Sequence, residues 1–210
     1  ELDRSLLPVL DETLHDFSNV EVLPADILKL DIPALVDEKF TGLIPMACAN
    51  LPYNITTPVL TALIEAERFA CIAVMIQREV ALRICAAPGT ADYGAFSVYC
   101  QYHTQPELLF DVGPECFVPA PKVTSSVIRM VPRPTPPEGV TDEKRFFRVV
   151  KAAFGQRRKT LLNALSAGLG GVDKETIRTA MEAAGLPENI RGERLGIPEF
   201  AALTRALGDF

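Results

Sequence analysis

The chain has 210 residues, of which 48% are hydrophobic and 23% are charged. These proportions are typical of a folded globular protein and exclude a collagen, a coiled coil or a disordered chain, and the length allows one full domain and a smaller second one. The formal net charge of −6 at pH 7 argues against a general nucleic-acid-binding protein, unless the positive charges are concentrated in one segment.

The composition also bears on location and on metal binding. No apolar stretch approaches the roughly 18 residues of a membrane span, and the first 20 residues lack the pattern of a signal peptide. We therefore expect a cytoplasmic protein that does not contact a membrane. The five cysteines are widely spaced without a C-x-x-C pair, and the two histidines have no metal-ligand spacing. We interpret the cysteines as reduced core residues and expect no metal site.

The first half of the chain alternates helical and strand patterns. In chain order the patterns predict a helix over 6–14, a short strand over Val20–Leu23, a buried strand over Leu43–Ala49, a helix over Thr57–Ala66, a strand over Cys71–Ile76 and a helix over Glu79–Ala86. Continuous apolar strands separated by helices are typical of a parallel sheet covered on both faces, the doubly wound α/β class. In that class the ligand binds at the carboxyl ends of the strands.

The pattern changes after residue 107. Leu108–Val112 and Ser125–Val131 predict an antiparallel edge pair, since only a proline-containing loop separates them. A proline-rich stretch over 132–137 is typical of a stiff linker. Beyond it only helical patterns occur, over 142–154, 157–167, 173–184 and 198–207. We therefore predict an α/β domain over 1–134 and a small all-helical domain over 135–210.

Positive charge is concentrated beside this boundary. Residues 1–121 carry 6 Lys and Arg against 17 Asp and Glu, whereas residues 122–163 carry 10 against 3. The basic residues of this segment lie on a helical pattern opposite apolar residues. The pattern fits either a solvated amphipathic helix or a surface that binds phosphates, and charge alone does not decide between them.

The most informative motif is Asn50-Leu51-Pro52-Tyr53, which directly follows the strand over Leu43–Ala49. Pro52 fixes its own φ and favours an extended Leu51, so the Asn50 amide and the Leu51 carbonyl can face one point beside the Tyr53 ring. Two acceptors and an aromatic face suit a flat base that bears an amine. An exocyclic adenine amine is a poor nucleophile, and two acceptors on its N–H groups favour the geometry that attack on a sulfonium methyl requires. Positioning and electrostatics then replace a strong base.

The chain resembles the rRNA adenine N6,N6-dimethyltransferase family, and within it the bacterial members that act on two adjacent adenosines near the 3′ end of small-subunit (16S) rRNA. The resemblance runs from Glu1 to about Leu207. The matching motifs are Glu1-Leu2-Asp3, Asn50-Leu51-Pro52-Tyr53-Asn54-Ile55-Thr56-Thr57-Pro58, Gln77-Arg78-Glu79-Val80-Ala81, Phe117-Val118-Pro119-Ala120-Pro121-Lys122-Val123, Phe154-Gly155-Gln156-Arg157-Arg158-Lys159-Thr160-Leu161-Leu162-Asn163 and Arg191-Gly192-Glu193 with Leu195.

The resemblance implies a Rossmann-like methyltransferase sheet that uses S-adenosyl-L-methionine. It implies that Glu1 binds the ribose hydroxyls of this cofactor, that Asp26 meets its adenine amine, and that Asn50 lies beside both cofactor and target. Tyr53 and Phe117 would sandwich the flipped target adenine. The catalytic residues would be Asn50, Leu51, Pro52, Tyr53 and Phe117.

The resemblance also implies a partner, the small-subunit rRNA of an assembling 30S subunit, bound through the helical domain and the adjoining cleft. The candidate phosphate contacts are Lys122, Lys151, Arg157, Arg158 and Lys159. Some of the cations at 157 and 158 can instead fix the domain interface through carboxylates. Nothing in the sequence indicates an obligate dimer, so we expect a monomer.

One departure from the family concerns the N-terminus. The family's first strand and its glycine-rich cofactor loop do not precede Glu1, so we expect an N-terminally truncated chain that by itself binds the cofactor poorly and transfers no methyl group. Two alternatives remain. One is a related adenine N6-methyltransferase that acts on large-subunit rRNA and confers macrolide resistance. The other is a non-catalytic ribosome-assembly factor that keeps the fold.

Overall fold

The computed structural model describes the whole chain, Glu1–Phe210. A mixed sheet with its helices forms the first part, and a helical bundle forms the second. The elements in chain order are α1 (Leu7–Leu14), α2 (Ile32–Lys39), β1 (Met46–Asn50), α3 (Thr56–Glu65), β2 (Cys71–Gln77), α4 (Arg78–Cys85), α5 (Ala95–His103), β3 (Thr104–Val112), β4 (Ser125–Pro132), α6 (Glu143–Gly155), α7 (Leu161–Gly168), α8 (Lys174–Ala183) and α9 (Ile197–Leu207). None of these helices combines the length and the apolar character that crossing a membrane requires.

The four strands are arranged in the order β1-β2-β4-β3. β1 and β2 are parallel, with α3 as the crossover between them, and β4 is antiparallel to both β2 and β3. The predicted antiparallel pair is therefore present, and the α/β class is confirmed. β2 is central, and its side chains alternate between fully buried and half-buried positions because successive residues point to opposite faces of the sheet. β1 lies at an edge, and its alternate residues are exposed.

Four details differ from the sequence prediction. The strand predicted as buried over Leu43–Ala49 is β1, which begins only at Met46 and is exposed at alternate residues because it lies at the side of the sheet. Val20–Leu23 forms no strand, because a strand needs a hydrogen-bonded neighbour and β1 pairs only with β2. The patterns also did not predict α2, which Asp31 caps by accepting a hydrogen bond from the N–H of Ala34 at 3.0 Å, or α5. Residues 157–160 were predicted as helix but form a turn, and α7 begins only at Leu161.

Two apolar cores hold the molecule together. One lies between the sheet and α2, α3 and α4. The other fills the helical bundle, and it includes residues that precede the proline-rich linker: Ala86, Tyr93, Val98 and Tyr102. The Tyr102 ring, for example, lies 5.2 Å from the ring of Phe146 on α6. The helical part therefore packs around α5 and the segment before it, as well as around its own helices.

Candidate active site at the carboxyl edge of the sheet

The carboxyl ends of β1, β2 and β3 and the start of β4 meet at one edge of the sheet, which we name the carboxyl edge. β1 and β2 are parallel, so their carboxyl ends lie side by side, with Asn50 opposite Met75. The last residue of β2, Gln77, pairs with Ser125 at the start of β4, and Ser125 also pairs with Val112 at the end of β3. Residues 113–124, which we name the aromatic loop because it carries Phe117, connect β3 to β4 at this same edge.

The Asn50–Tyr53 corner begins where β1 leaves the sheet. Leu51 is buried and its N–H donates to the Met75 carbonyl at 3.1 Å, so the pairing with β2 continues one residue past the strand. The Pro52 carbonyl accepts from the N–H of Ile55 and from the Thr56 hydroxyl, which turns the chain into α3. The strand and the helix thus fix the backbone of the corner from both sides.

Two acceptors at this corner have no partner within the chain. The exposed Asn50 carboxamide makes no hydrogen bond to another residue, and neither does the Leu51 carbonyl. Two free acceptors on adjacent residues can therefore receive the N–H groups of a ligand.

Both predicted aromatic residues reach this edge. Tyr53 is half-buried, and its hydroxyl lies 2.8 Å from the Ser125 Oγ at the start of β4. Phe117 is half-buried in the aromatic loop, where its N–H donates to the Pro114 carbonyl at 3.2 Å. Neither ring stacks on another aromatic ring of the chain. Each ring therefore keeps a face that no other aromatic side chain occupies.

The two predicted acidic residues lie in neighbouring N-terminal segments. The amino group of Glu1 donates to the Leu23 carbonyl at 2.9 Å, which brings Glu1 beside the turn that carries Asp26. The Glu1 carboxylate accepts from the N–H of Asp3 at 2.7 Å, and the Asp26 carboxylate accepts from the N–H of Leu28 at 3.0 Å. The turn at Ile27–Lys29 packs on α3, the helix that follows the Asn50–Tyr53 corner. No set of three or more His, Cys, Asp or Glu side chains is arranged to hold a metal ion.

The five predicted RNA-binding cations differ in their contacts. Four of them are exposed and form no ion pair: Lys122 on the aromatic loop, Lys151 in α6, and Arg158 and Lys159 in the turn after α6. Lys151 lines a groove of about 420 Å³ between α6 and α7, together with Arg148 and Gln156.

Arg157, in contrast, joins the two parts of the molecule. Its Nε lies 3.4 Å from the Glu193 carboxylate, and its Nη2 donates to the Ala91 carbonyl. The N–H of Gly89 in the same loop donates to the Glu193 carbonyl at 2.7 Å. Arg157 therefore makes contacts between the two parts of the molecule, which is the alternative to phosphate binding that the sequence analysis left open.

Three residues at this edge carry polar contacts that the sequence analysis did not assign to the site: Arg78, Asp111 and Ser125. Arg78 belongs to a motif that marked the resemblance, but nothing in its position indicated a partner 33 residues later. Asp111 and Ser125 lie at strand ends without any motif that marks them. The pairing of β4 with β2 brings Ser125 to this side of the sheet, and the pairing of β3 with β4 places Asp111 beside Ser126.

Comparison with known proteins identifies the family. The model of the ribosomal RNA adenine dimethylase family matches residues 1–190. The chain belongs to this family. Two bacterial relatives named ribosomal RNA small subunit methyltransferase A support the assignment: the protein of Alkaliphilus metalliredigens is 48% identical over 98% of this chain, and that of Bacillus mycoides is 47% identical over 99% of it. The chain spans 72% of the length of each of these relatives.

Solved structures show that the fold of this ribosomal RNA adenine dimethylase is shared more widely. A crystal structure of a dimethyladenosine transferase from Plasmodium falciparum superposes with a TM-score of 0.76 at 20% identity, and covers 97% of this chain and 78% of that one. The 23S rRNA methyltransferase ErmE superposes with a TM-score of 0.68 at 22% identity, over all of this chain and 80% of that one. The fold of this chain is therefore shared with a dimethyladenosine transferase and with a 23S rRNA methyltransferase of known structure.

Proposed function

We propose that this ribosomal RNA adenine dimethylase transfers two methyl groups to N6 of each of two adjacent adenosines near the 3′ end of small-subunit rRNA, with S-adenosyl-L-methionine as the methyl donor. The observation that carries the proposal is the pair of unpartnered acceptors, the Asn50 carboxamide and the Leu51 carbonyl, at the carboxyl edge of the sheet. Relatives with 47–48% identity carry a small-subunit name, whereas ErmE, a 23S rRNA enzyme, is 22% identical. The comparison therefore favours the small subunit over the large one.

The acidic residues of the N-terminal segments fit the nucleoside part of the donor. Ribose hydroxyls and an adenine amine both donate hydrogen bonds, and the Glu1 and Asp26 carboxylates are acceptors that each retain capacity beyond their one backbone contact. Residues 1–41 contain no glycine, so they supply no glycine-rich loop for the methionine part. The bound donor supplies a methyl group on a positively charged sulfur.

The residues of this chain would orient the target amine. We propose that the Asn50 Oδ1 and the Leu51 carbonyl accept the two N–H bonds of N6, so that the nitrogen lone pair faces the methyl group. Tyr53 and Phe117 hold the base out of its RNA helix by stacking, which is worth about 1–3 kcal/mol per base. Asn50 carries no charge and acts as an acceptor rather than a base. The proton released from N6 goes to water, because a methylated ammonium is acidic.

We propose that the RNA is bound through the exposed cations Lys122, Lys151, Arg158 and Lys159. Because none of them has a carboxylate partner within the chain, each is free to replace a counterion at a phosphate. Arg157 is proposed to contribute through the interface instead. The target is the assembling 30S subunit in the cytoplasm, and the enzyme acts as a monomer.

The experiment is transfer of labelled methyl groups from S-adenosyl-L-methionine to 30S subunits that lack the dimethylation, catalysed by the complete product of the gene that encodes this chain. Asn50→Ala should lower kcat by about 100-fold or more, the usual effect of removing one preorganised hydrogen-bonding group from an active site. Asn54→Ala is the matched control, since Asn54 is also exposed and lies in the next turn. It should retain the activity of the unaltered enzyme.

Two results would contradict the proposed function. Methylation of naked 23S rRNA in preference to 30S subunits would support the large-subunit alternative. Tight binding to 30S subunits without any methyl transfer by the unaltered protein would support the assembly-factor alternative.

A further inference from the structure

A single residue, Arg78, contacts both ends of the aromatic loop, one through its backbone and the other through its side chain. The N–H of Arg78, the first residue of α4, donates to the Thr124 carbonyl at 3.0 Å, at the end of the loop. The Nε of Arg78 donates to Asp111 Oδ2 at 2.9 Å, just before the loop begins. Arg78 thus contacts β3 just before the loop and the last residue of the loop itself, and it does so from the helix that follows β2.

Asp111 is tied on its other side as well. Its Oδ1 accepts from the Ser126 hydroxyl at 2.6 Å, and Ser126 is completely buried opposite Asp111 in the β3–β4 ladder. The Ser126 hydrogen bond and the Arg78 guanidinium both lower the pKa of the Asp111 carboxyl, so it remains ionised near neutral pH. A carboxylate with both oxygens engaged by different elements has little freedom to rotate.

Ser125 connects this arrangement to the Asn50–Tyr53 corner. Its side chain is 1% exposed, and its Oγ lies 2.8 Å from the Tyr53 hydroxyl, across 72 residues of sequence. Tyr53 has no other polar contact through its ring. The orientation of the Tyr53 ring therefore depends on Ser125, the first residue of β4. The position of the aromatic loop depends on Asp111, which is held by Ser126, the next residue of β4, and by Arg78.

We propose that Arg78, Asp111 and Ser125 form a polar clamp that sets the distance and the angle between the Tyr53 and Phe117 rings and so positions the target adenine for methyl transfer. This proposal rests on the proposed function. The three are positioning residues, because their polar atoms are engaged within the chain: Arg78 with Asp111, and Ser125 with Tyr53. Their contribution to the rate comes from geometry, since a displacement of about 1 Å at a reacting centre can lower a rate about 100-fold.

The Ser125 arm is tested by a double-mutant cycle in the complete gene product. Ser125→Ala and Tyr53→Phe should each lower kcat/KM for 30S subunits by about tenfold, the effect of one hydrogen bond of about 1.4 kcal/mol. The double variant should be no slower than the slower single variant, because both substitutions remove the same bond. Ser125→Thr keeps the hydroxyl and should restore activity. Multiplicative effects in the double variant, or full activity in Ser125→Ala, would overturn this arm.

The Arg78–Asp111 arm has a matched control, a second ion pair that also involves β3 but has its arginine on β4 instead of α4. Arg129 and Glu107 form an ion pair across β4 and β3 with similar exposure, farther from the aromatic loop. Arg78→Ala or Asp111→Ala should lower kcat about tenfold, whereas Arg129→Ala or Glu107→Ala should leave kcat unchanged. Equal losses in both pairs would mean that the β3–β4 ladder alone matters and would overturn the proposal.

Two binding measurements distinguish positioning from direct RNA contact. The dissociation constant for an RNA fragment should stay within twofold of the unaltered value in Arg78→Ala, while the fluorescence of 2-aminopurine at the target position should rise because the base stacks less well. A weaker RNA affinity with unchanged kcat would make Arg78 a phosphate contact instead. If the unaltered enzyme bound the RNA but transferred no methyl group, the proposed function would fail. The clamp would remain testable in that case, because a change in 2-aminopurine fluorescence on Ser125→Ala does not depend on methyl transfer.

Discussion

At the scale of single residues, the five cysteines show how one side-chain type takes different properties from its surroundings. All five are free thiols. Cys100 is completely buried, and burial raises the pKa of its thiol far above the usual value, whereas Cys48 and Cys116 are exposed. The prediction that all the cysteines are core residues was therefore wrong for these two. Cys48 lies on the open face of the edge strand β1, and Cys116 lies in the aromatic loop.

The thiols should consequently differ in their reactivity, because the thiolate is the reactive form and must also be accessible. With a disulfide reagent at pH 8, we expect Cys48 and Cys116 to react in a fast phase and Cys100 to react only after unfolding. The double variant Cys48→Ser with Cys116→Ser should lose the fast phase. Modification of Cys100 in the native protein at the rate of the exposed thiols, identified by mass spectrometry of its peptide, would contradict this assignment.

At the scale of elements, α8 illustrates how a single cap defines a helix. Asp173 Oδ1 accepts from the N–H groups of Glu175 and Thr176, both at 2.9 Å, and Oδ2 accepts from the Thr176 hydroxyl at 2.7 Å. These hydrogen bonds, those from Thr176 above all, lower the pKa of the Asp173 carboxyl. The cap fixes where α8 starts and hence how Ile177, Ala180 and Met181 enter the core of the bundle.

Removal of this cap should have a pH-dependent effect. Asp173→Ala should lower Tm at pH 7 by about 2–4 °C, the effect expected for loss of an N-cap in a protein of this size. The pKa of Asp173 is lower in the folded protein than in the unfolded chain, where it is near 3.8. The stabilisation is therefore fully present at pH values above the unfolded-state pKa and is lost as the pH falls through the folded-state pKa. The difference between the variant and the unaltered protein should therefore shrink below about pH 4 in thermal melts followed by circular dichroism. Asp173→Asn keeps one oxygen that can accept from the backbone N–H groups, but it loses the charge and the second oxygen that accepts from the Thr176 hydroxyl. Its Tm at pH 7 should therefore fall between those of the unaltered protein and Asp173→Ala, and a Tm equal to that of Asp173→Ala would refute the cap.

At the scale of the whole molecule, we expect the sheet and the helical bundle to unfold as one unit, because residues that precede the proline-rich linker are buried in the core of the bundle. Tyr93 precedes α5 in sequence but is 1% exposed in the core of the helical part, where its hydroxyl donates to the Leu195 carbonyl at 3.0 Å. Burial raises the pKa of Tyr93 to about 12, so the hydroxyl stays protonated as a donor at neutral pH. Arg157 adds its contacts to Glu193 and Ala91 at the same interface.

Tyr93→Phe should lower the free energy of unfolding of the whole chain by about 1–3 kcal/mol, because the Leu195 carbonyl is left buried without its donor. Far-ultraviolet and near-ultraviolet circular dichroism should give coincident urea transitions in both proteins. Tyr99→Phe is the control, since the Tyr99 hydroxyl donates to the exposed Glu65 carboxylate, and its effect should be smaller. Two separate transitions, one for the sheet and one for the helices, would show that the parts fold independently.

The local patterns of the sequence were sufficient for much of the fold. β1, β2, α3 and the β3–β4 pair follow from short apolar runs, helical spacing and prolines, which act over a few neighbouring residues. The same patterns put Asn50 and Tyr53 after a buried strand, and the structure places them at the carboxyl edge of the sheet. The patterns failed at Val20–Leu23, since a strand also depends on whether another strand lies beside it.

What the sequence by itself determined is therefore the order and type of most elements and the position of the Asn50–Tyr53 corner at a strand end. The tertiary structure alone decided which distant residues meet there: Ser125 against Tyr53, Arg78 against Asp111, and Arg157 against the loop at Ala91. It also decided that Tyr93 and Tyr102 belong to the helical core. The physical reason is that these contacts join residues 33 to 102 positions apart. Their formation depends on the path of the whole chain, which no local periodicity encodes.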